Sequence, residues 1–360
     1  MTKHPSYDKL AKALSLGTLL LDGATGTMIQ RLGLSEGDYQ IAGRSAGGGS
    51  LAGNHDLLNL TRPELICDIH RQYIEAGAGI IETNTFNSNA ISQSDYGTAD
   101  LVYRINLEAA RIARQAAGPE VFVAGSMGPT NRTASLSPRV EDPGFRNITF
   151  DQLAEAYREQ AAGLLDGGVD VLLIETIFDT LNAKAAIYGI REEFDKRGME
   201  WPLILSVTIT DASGRTLSGQ TLEAFFYSIL YAQPLVVGLN CALGARELLP
   251  YLRELRRLAD LENQRLSRRG NRIFTSAHPN AGLPDELGGY SQSAAEMAGW
   301  IRIFLEEGLV SLVGGCCGTT PEHIQAISRL IQSIPQPIEN KPIVEIGGAP
   351  VLPLVLSRLE

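Results

Sequence analysis

Eight short apolar runs, rich in β-branched residues, recur along the 360-residue chain, and each is followed by a stretch with helical spacing. The runs are TLLLDG ending near Asp22, GIIETNT near Asn84, VFVAGS near Ser126, DVLLIET near Thr176, PLILSVTIT near Thr210, LVVGLNC near Cys241, RIFTSAHPN near Asn280 and LVSLVGGCC near Cys317. Segments such as PELICDIHRQYIEAG, FDQLAEAYREQAAGLLDGG and TLNAKAAIYGIREEFDKRG lie between them, several closed by a glycine stop signal. Eight strands alternating with helices predict an α/β chain folded as a (β/α)8 TIM barrel rather than two doubly wound sheets. The barrel is expected over residues 1–335, with a Pro-rich, apolar tail over 336–360.

Composition removes several functional classes. The chain is 44% hydrophobic and 20% charged, and its 31 Lys and Arg against 41 Asp and Glu give a net charge of -10. No basic block is present to track a phosphate backbone, which argues against nucleic acid as a partner. No run approaches the roughly 18 apolar residues of a membrane span, and the N-terminus lacks the apolar core of a secretory signal. A cytoplasmic protein is expected. Four cysteines are too few for a secreted disulfide scaffold, so reduced thiols are the expected state.

Polar residues concentrate at the C-terminal ends of the predicted strands. Asp22, Glu82, Asn84, Ser126, Glu175, Asn240, Cys241, Asn280, Cys316 and Cys317 all fall there. In a closed barrel these ends converge on one face, where barrel enzymes carry their chemistry. Cys241 ends strand six and the adjacent Cys316 and Cys317 end strand eight, two strands apart, so the thiols can meet across the mouth. Adjacent cysteines close only a strained ring with each other. Three thiolates suit a soft tetrahedral ion, and three protein ligands with one open position is the layout of catalytic zinc. Gly314, Gly315 and Gly318 would supply torsional freedom for aiming the sulfurs. His278 is a rival ligand. Cys67, in a helical run, reads as a core thiol, and His323 has a local role beside Thr320 as N-cap and Pro321 as first helical residue. A competing reading makes GGCCGTTPEHI a phosphate cradle at a helix N-terminus. Asp22 and Glu175 fit a general acid and base pair, recognition of an ammonium group, or, for Asp22, a simple turn cap through Gly23 and Thr25.

With these residues laid out, LLLDGATGTMIQ, NHDLLNLTRPELI, IIETNTFNSN, GPTNRTASLSP, FRNITF, IETIFDTLNAKAA, TITDASGRTLSGQT, GLNCALGARELLPY, HPNAGLP and VGGCCGTTPEHI resemble the zinc-dependent homocysteine methyltransferase family. NHDLLNL, TNRTAS and TDASGRTLSGQT are similar to its cobalamin-dependent branch, the homocysteine-binding module of methionine synthases. The resemblance runs from about Leu19 to Leu330. It implies that Cys241, Cys316 and Cys317 bind zinc and activate the thiol of L-homocysteine. It further implies that Asp22 and Glu175 hold the substrate amino group, that backbone around Gly23 and Ala24 lies near its carboxylate, and that Ser126 lines the site. Asn280 would occupy the fourth zinc position before substrate arrives, with His278 or water as alternatives.

The implied donor is methylcobalamin, not bound by this chain alone but presented by cobalamin- and folate-binding modules in a larger chain or on another one, with 5-methyltetrahydrofolate as the ultimate source of the methyl group. Asp68-Ile69-His70 lacks the glycine that a cobalamin signature needs, Tyr73 standing there instead, and is a chance match within a helix. The tail resembles the linker into a folate module, so the chain is expected to be either a fragment of a larger enzyme or a stand-alone module. The Gly-rich stretch 43–53 is expected to be a flexible loop near the donor's approach. The alternatives are a free-standing enzyme using S-methylmethionine or betaine, a homocysteine-binding module inactive without partner domains, and a barrel whose cysteines bind no metal.

Overall fold

The structure is a computed structural model that describes residues 1–41, 49–210, 213–266, 272–286 and 288–334. The expected tail, 336–360, and most of the Gly-rich stretch 43–53 lie outside the described residues. Among the described residues, eight parallel strands form one sheet. They are β1 (Leu19–Leu20), β2 (Ile80–Glu82), β3 (Phe122–Met127), β4 (Val171–Ile177), β5 (Leu203–Val207), β6 (Val236–Gly244), β7 (Phe274–Asn280) and β8 (Leu312–Val313). Their order is β1-β8-β7-β6-β5-β4-β3-β2, and a parallel bridge from Leu21 to Ile80 joins the last to the first. At this seam Gly79 N–H donates to the Leu20 carbonyl at 2.8 Å, and Asp22 N–H donates to that of Ile80 at 3.1 Å. The ring is the expected (β/α)8 barrel.

Helices cover the outside because each strand returns through one. Thr149 with Gln152, and Ser293 with Glu296, form capping boxes that start the helices Phe150–Gly167 and Ala294–Glu306. Gly168 and Gly198 end the helices Phe150–Gly167 and Thr180–Arg197 in left-handed conformation, as glycine stop signals should.

β1 and β8 are shorter than their apolar runs suggest, because the ladder changes partner at the mouth. Gly314 N–H still bonds the Ala277 carbonyl at 3.1 Å, but Gly315 N–H turns to that of Asp22 at 3.0 Å. β5 likewise stops at Val207, where Thr208 N–H donates to the Ile177 carbonyl at 3.0 Å.

Two apolar clusters fill the molecule. The larger lies between strands and helices; the smaller lies inside the ring and contains Leu21, Ile80, Ala124, Val171, Leu173, Ile204, Val236, Phe274 and Leu312. Leu10 and Leu14 of the N-terminal helix Pro5–Leu16 belong to that inner cluster, so this helix plugs the ring at the N-terminal ends of its strands. Burial of the two leucines contributes about 1.5–3 kcal/mol each. Ser6 Oγ anchors the plug by donating to the Asp170 carbonyl at 2.6 Å.

Because alternate strand residues share a face, the interior changes character along each strand. On β7 the sequence inward is Phe274, Ser276, His278 and Asn280; on β6 it is Val236, Gly238 and Asn240; on β4 it is Leu173 and Glu175. Apolar residues sit against the plug and polar ones rise toward the open mouth.

His70, in the helix Pro63–Glu75, is fully buried and neither ring nitrogen has a partner among the described residues. Burial pushes its pKa down to about 4, whereas an unfolded chain protonates histidine near 6.5. A depressed base contributes stability that is complete above the unfolded pKa and lost as pH falls toward the folded one, on the order of 3 kcal/mol here. Urea unfolding at pH 7 and pH 4.5 should therefore show a smaller acid loss for His70→Leu than for the wild type. Equal losses would contradict this assignment.

Candidate metal and substrate site

The strand ends enclose a cavity of about 590 Å³. Cys241, Cys316 and Cys317 form part of its wall, together with Gly23, Ala24, Glu82, Ser126, Glu175 and His278. The three sulfurs lie within 4.8 Å of one another. Cys241 Sγ is 3.7 Å from Cys317 Sγ, and Cys316 Sγ is 4.0 Å from Cys317 Sγ. Tetrahedral zinc with Zn–S near 2.3 Å requires sulfurs about 3.8 Å apart. The spacing and chemistry of the donors fit zinc.

The backbone reaches this arrangement through strain at one side and close approach at the other. Cys241 and Ala242 have φ of 61° and 57°, a left-handed pair of non-glycine residues inside the register shift that separates Asn240 from Gly244. On the other side, only Gly318 among the three loop glycines has positive φ, at 80°. Gly314 and Gly315 serve close packing rather than left-handed torsions: a Cβ on Gly314 would sit 2.8 Å from Leu21 Cβ, and one on Gly315 would sit 2.5 Å from Thr319 Oγ1. Cys316 N–H donates to the Pro279 carbonyl at 2.8 Å, and Ala281 N–H donates to that of Cys317 at 2.9 Å, fastening the paired cysteines to the end of β7.

This bonding removes the phosphate-cradle reading. Amides of Gly314, Gly315, Cys316 and Thr319 donate to backbone carbonyls, Gly318 N–H donates to Thr27 Oγ1, and Thr320 N–H to His323 Nδ1. Few donors remain for an anion. His323 completes a capping box with Thr320 and its Nε2 lies 3.0 Å from the Gln292 carbonyl, the local role its position suggests. Cys67 is a buried core thiol.

Three carboxyls gather around the same space: Asp22 and Glu175 are buried and Glu82 is half-buried. Glu175 accepts from Ser126 Oγ at 2.5 Å and from Asn240 Nδ2 at 3.4 Å; Asn240 is itself held by Ser206 Oγ at 2.7 Å. Burial raises the Glu175 carboxyl to about 7. Burial, then the charge of Glu175 and that of Asp22, holds Glu82 well above the usual carboxylate range. Asp22 is raised chiefly by burial. It stands behind the cavity wall, with Oδ2 accepting from Glu82 N–H at 3.0 Å and Oδ1 buried without a partner. Asp22 does not cap the following helix: the N-cap of Thr25–Arg31 is Ala24, without a side-chain bond. The Ala24 amide is engaged by Thr319 Oγ1 at 3.1 Å.

Asn280 also lies behind the wall, with Nδ2 3.4 Å from Tyr290 Oη and Oδ1 unpartnered among the described residues. Both nitrogens of His278 are buried, likewise without partners among the described residues. Thiol chemistry is uneven across the cluster: contacts with Cys241 and then Cys316 pull Cys317 down to about 3, while contacts with Cys241 and then Cys317 push Cys316 well above the ordinary thiol value. A cation would favour joint ionisation of the three.

Sequence reasoning noted Glu82 only as a strand-end residue and gave it no role. The signal for it is the repeated Ile-Glu-Thr at the ends of β2 and β4, which puts Glu82 and Glu175 in equivalent inward positions. Tyr290 and Thr319 were missed altogether, and no local pattern marks them.

A family model described as homocysteine S-methyltransferase matches residues 19–331 of the chain. Among solved structures, the chain is similar to the homocysteine methyltransferase MmuM of Escherichia coli. The metallated form has a TM-score of 0.64 at 22% identity, with 91% of this chain and 99% of that chain covered. The oxidized form has a TM-score of 0.62 at 21% identity, with 87% and 95% covered. At such identity these two likenesses speak to the fold.

A metal ion held by the three sulfurs has a simple signature. Dialysis of the reduced protein against zinc should load about one ion per chain, and Cys317→Ser should abolish retention while leaving the circular dichroism unchanged, since the thiols lie outside both apolar clusters. Retained zinc in that variant would remove Cys317 from the ligand set.

Proposed function

The chain belongs to the homocysteine S-methyltransferase family, and from that premise we propose that it methylates L-homocysteine to methionine, with Cys241, Cys316 and Cys317 holding a zinc ion. The observation that carries the reading is the trio of sulfurs at tetrahedral spacing in the same cavity wall as two carboxyls, the half-buried Glu82 and the buried Glu175. Zinc bound there supplies Lewis acidity that favours the thiolate of a substrate thiol at neutral pH.

The remaining work falls to the protein. Glu175 and Glu82 offer acceptor-only oxygens to the substrate ammonium, and Asp22 orients Glu82 from behind by accepting its backbone N–H. Ser126 and Asn240 fix the Glu175 carboxyl, so little orientation is lost on binding. An ammonium at this point also offsets the burial that raises both carboxyls. In the transfer, the substrate sulfur provides the electron pair of the new S–CH3 bond, the bond from methyl to donor breaks with its pair left on the donor, and the thiol proton is released. The donor of choice is methylcobalamin carried by another module or chain, because NHDLLNL, TNRTAS and TDASGRTLSGQT resemble the cobalamin-dependent branch. We take residues 1–335 as the catalytic barrel and 336–360 as a linker toward such modules.

Two measurements test the reading. Sulfur coordination read by zinc-edge spectroscopy should rise from three to four when L-homocysteine is added, and methionine should form with methylcobalamin but not with S-methylmethionine or betaine. Turnover with a small donor alone would reverse the donor assignment; unchanged coordination would end the activation model. Glu175→Gln should weaken homocysteine binding by about tenfold or more, the scale of a charge-assisted hydrogen bond, with zinc content unaltered. Wild-type affinity in that variant would exclude Glu175 from ammonium recognition.

A further inference from the structure

One side chain touches both the cysteine loop and the turn that lines the amino-acid side of the cavity. Thr319 is completely buried. Its hydroxyl donates to the Cys316 carbonyl at 2.7 Å and accepts from Ala24 N–H at 3.1 Å, while its own N–H returns to the Cys316 carbonyl at 3.1 Å. Space around the hydroxyl is closed: a Cβ on Gly23 would lie 2.7 Å from Oγ1, and one on Gly315 would lie 2.5 Å from it. Tyr73 adds a second tie, its hydroxyl 3.2 Å from the Ala24 carbonyl and 3.4 Å from that of Thr319.

A hydroxyl has one hydrogen. The Cys316 carbonyl takes it, and that fixes the lone pairs that receive Ala24. Any change that orders Cys316 therefore orders the turn at Gly23 and Ala24, and the reverse holds by linkage. We infer that Thr319 is a positioning residue that makes metal loading at the cysteines and recognition of the amino-acid head group interdependent, even for an amino acid with no sulfur to offer the metal. The inference rests on the zinc and homocysteine reading above, but concerns a coupling that reading does not require, since direct thiol coordination would by itself account for metal-dependent homocysteine binding.

The probe is L-2-aminobutyrate, which keeps the head group and lacks the thiol. Calorimetric titration of the full, reduced chain, with and without one equivalent of zinc, should give an affinity about tenfold higher in the loaded protein, within the usual range of coupling between sites. Thr319→Val should bring the ratio below about twofold, Thr319→Ser should retain it, and Tyr73→Phe should lie between. Zinc content and thermal melting of each variant establish that folded, loaded protein is being compared. A wild-type ratio near one, or an undiminished ratio in zinc-loaded Thr319→Val, overturns the inference. Should the valine variant fail to fold, a wild-type ratio in Tyr73→Phe overturns it. Failure of the wild type to take up zinc or homocysteine instead defeats the underlying reading, and the coupling with it.

Discussion

Everything at the mouth of this barrel is governed by the cost of gathering like charge where water is scarce. Three thiols lie within 4.8 Å of one another, with Asp22 and Glu175 buried and Glu82 half-buried nearby, their carboxyls raised first of all by desolvation. Acids gathered this closely do not all ionise unaided. They become fully ionised only with cations, and the two clusters ask for different ones: soft sulfur for a metal, hard oxygen for an ammonium. An α-amino acid with a terminal thiol presents its ammonium and its sulfur to both. Under the proposed function, recognition and activation would both arise from one electrostatic deficit.

The ring carries this deficit although His278 and Asn280 keep unpartnered polar atoms among the described residues, so its strained turns need bonds of their own. Left-handed torsions at Thr176, Cys241 and Ala242 are costly, of order 1–3 kcal/mol each. They are held by bonds that cross strands: Asn240 Oδ1 accepts from Thr176 N–H at 2.9 Å, and Asn240 Nδ2 donates to Thr176 Oγ1 at 2.8 Å. The Thr208 hydroxyl bonds the Asn240 carbonyl just before Cys241. Asn240 therefore links the bends at the ends of β4 and β6, and through Glu175 it links them to the substrate wall. Below that layer the apolar plug of Leu10 and Leu14 fills the opposite end of the ring.

Much of this was legible in the chain because it is written in local pattern. Strand and helix alternation is a periodicity, and the clustering of Asp22, Glu175 and the cysteines at strand ends needs only the barrel's rule that such ends converge. That Cys241 can meet Cys316 and Cys317 follows from strand count alone. What escaped depends on closure. Thr319 and Tyr73 matter because they reach the turn at Ala24, 295 and 49 residues away respectively, and no spacing within GGCCGTTPEHI announces such a partner. The placement of Asp22 behind Glu82, rather than on the cavity wall, follows from the seam where β1 meets β2, which a strand-by-strand reading does not contain. Gly314 and Gly315 were read as flexible when their function is to be small, a distinction set by Leu21 and Thr319 across the gap.

The cavity's size bears on how a donor can reach the sulfur. About 590 Å³ falls in the range of sites that enclose drug-sized ligands, well beyond what a four-carbon amino acid occupies. Sulfur, carboxyls and the Gly23 turn account for only part of its wall. His55, Asp56, Asn84, Phe86 and Asn87 also line it, where Asp56 Oδ1 holds Asn87 N–H at 3.1 Å and Ser88 Oγ at 3.0 Å. In-line transfer requires the donor to arrive opposite the atom that receives the methyl group. In the proposed function, a substrate tethered through both its ammonium and its sulfur would leave the rest of the cavity for the donor, so the contacts to the amino acid would determine where that donor must stand.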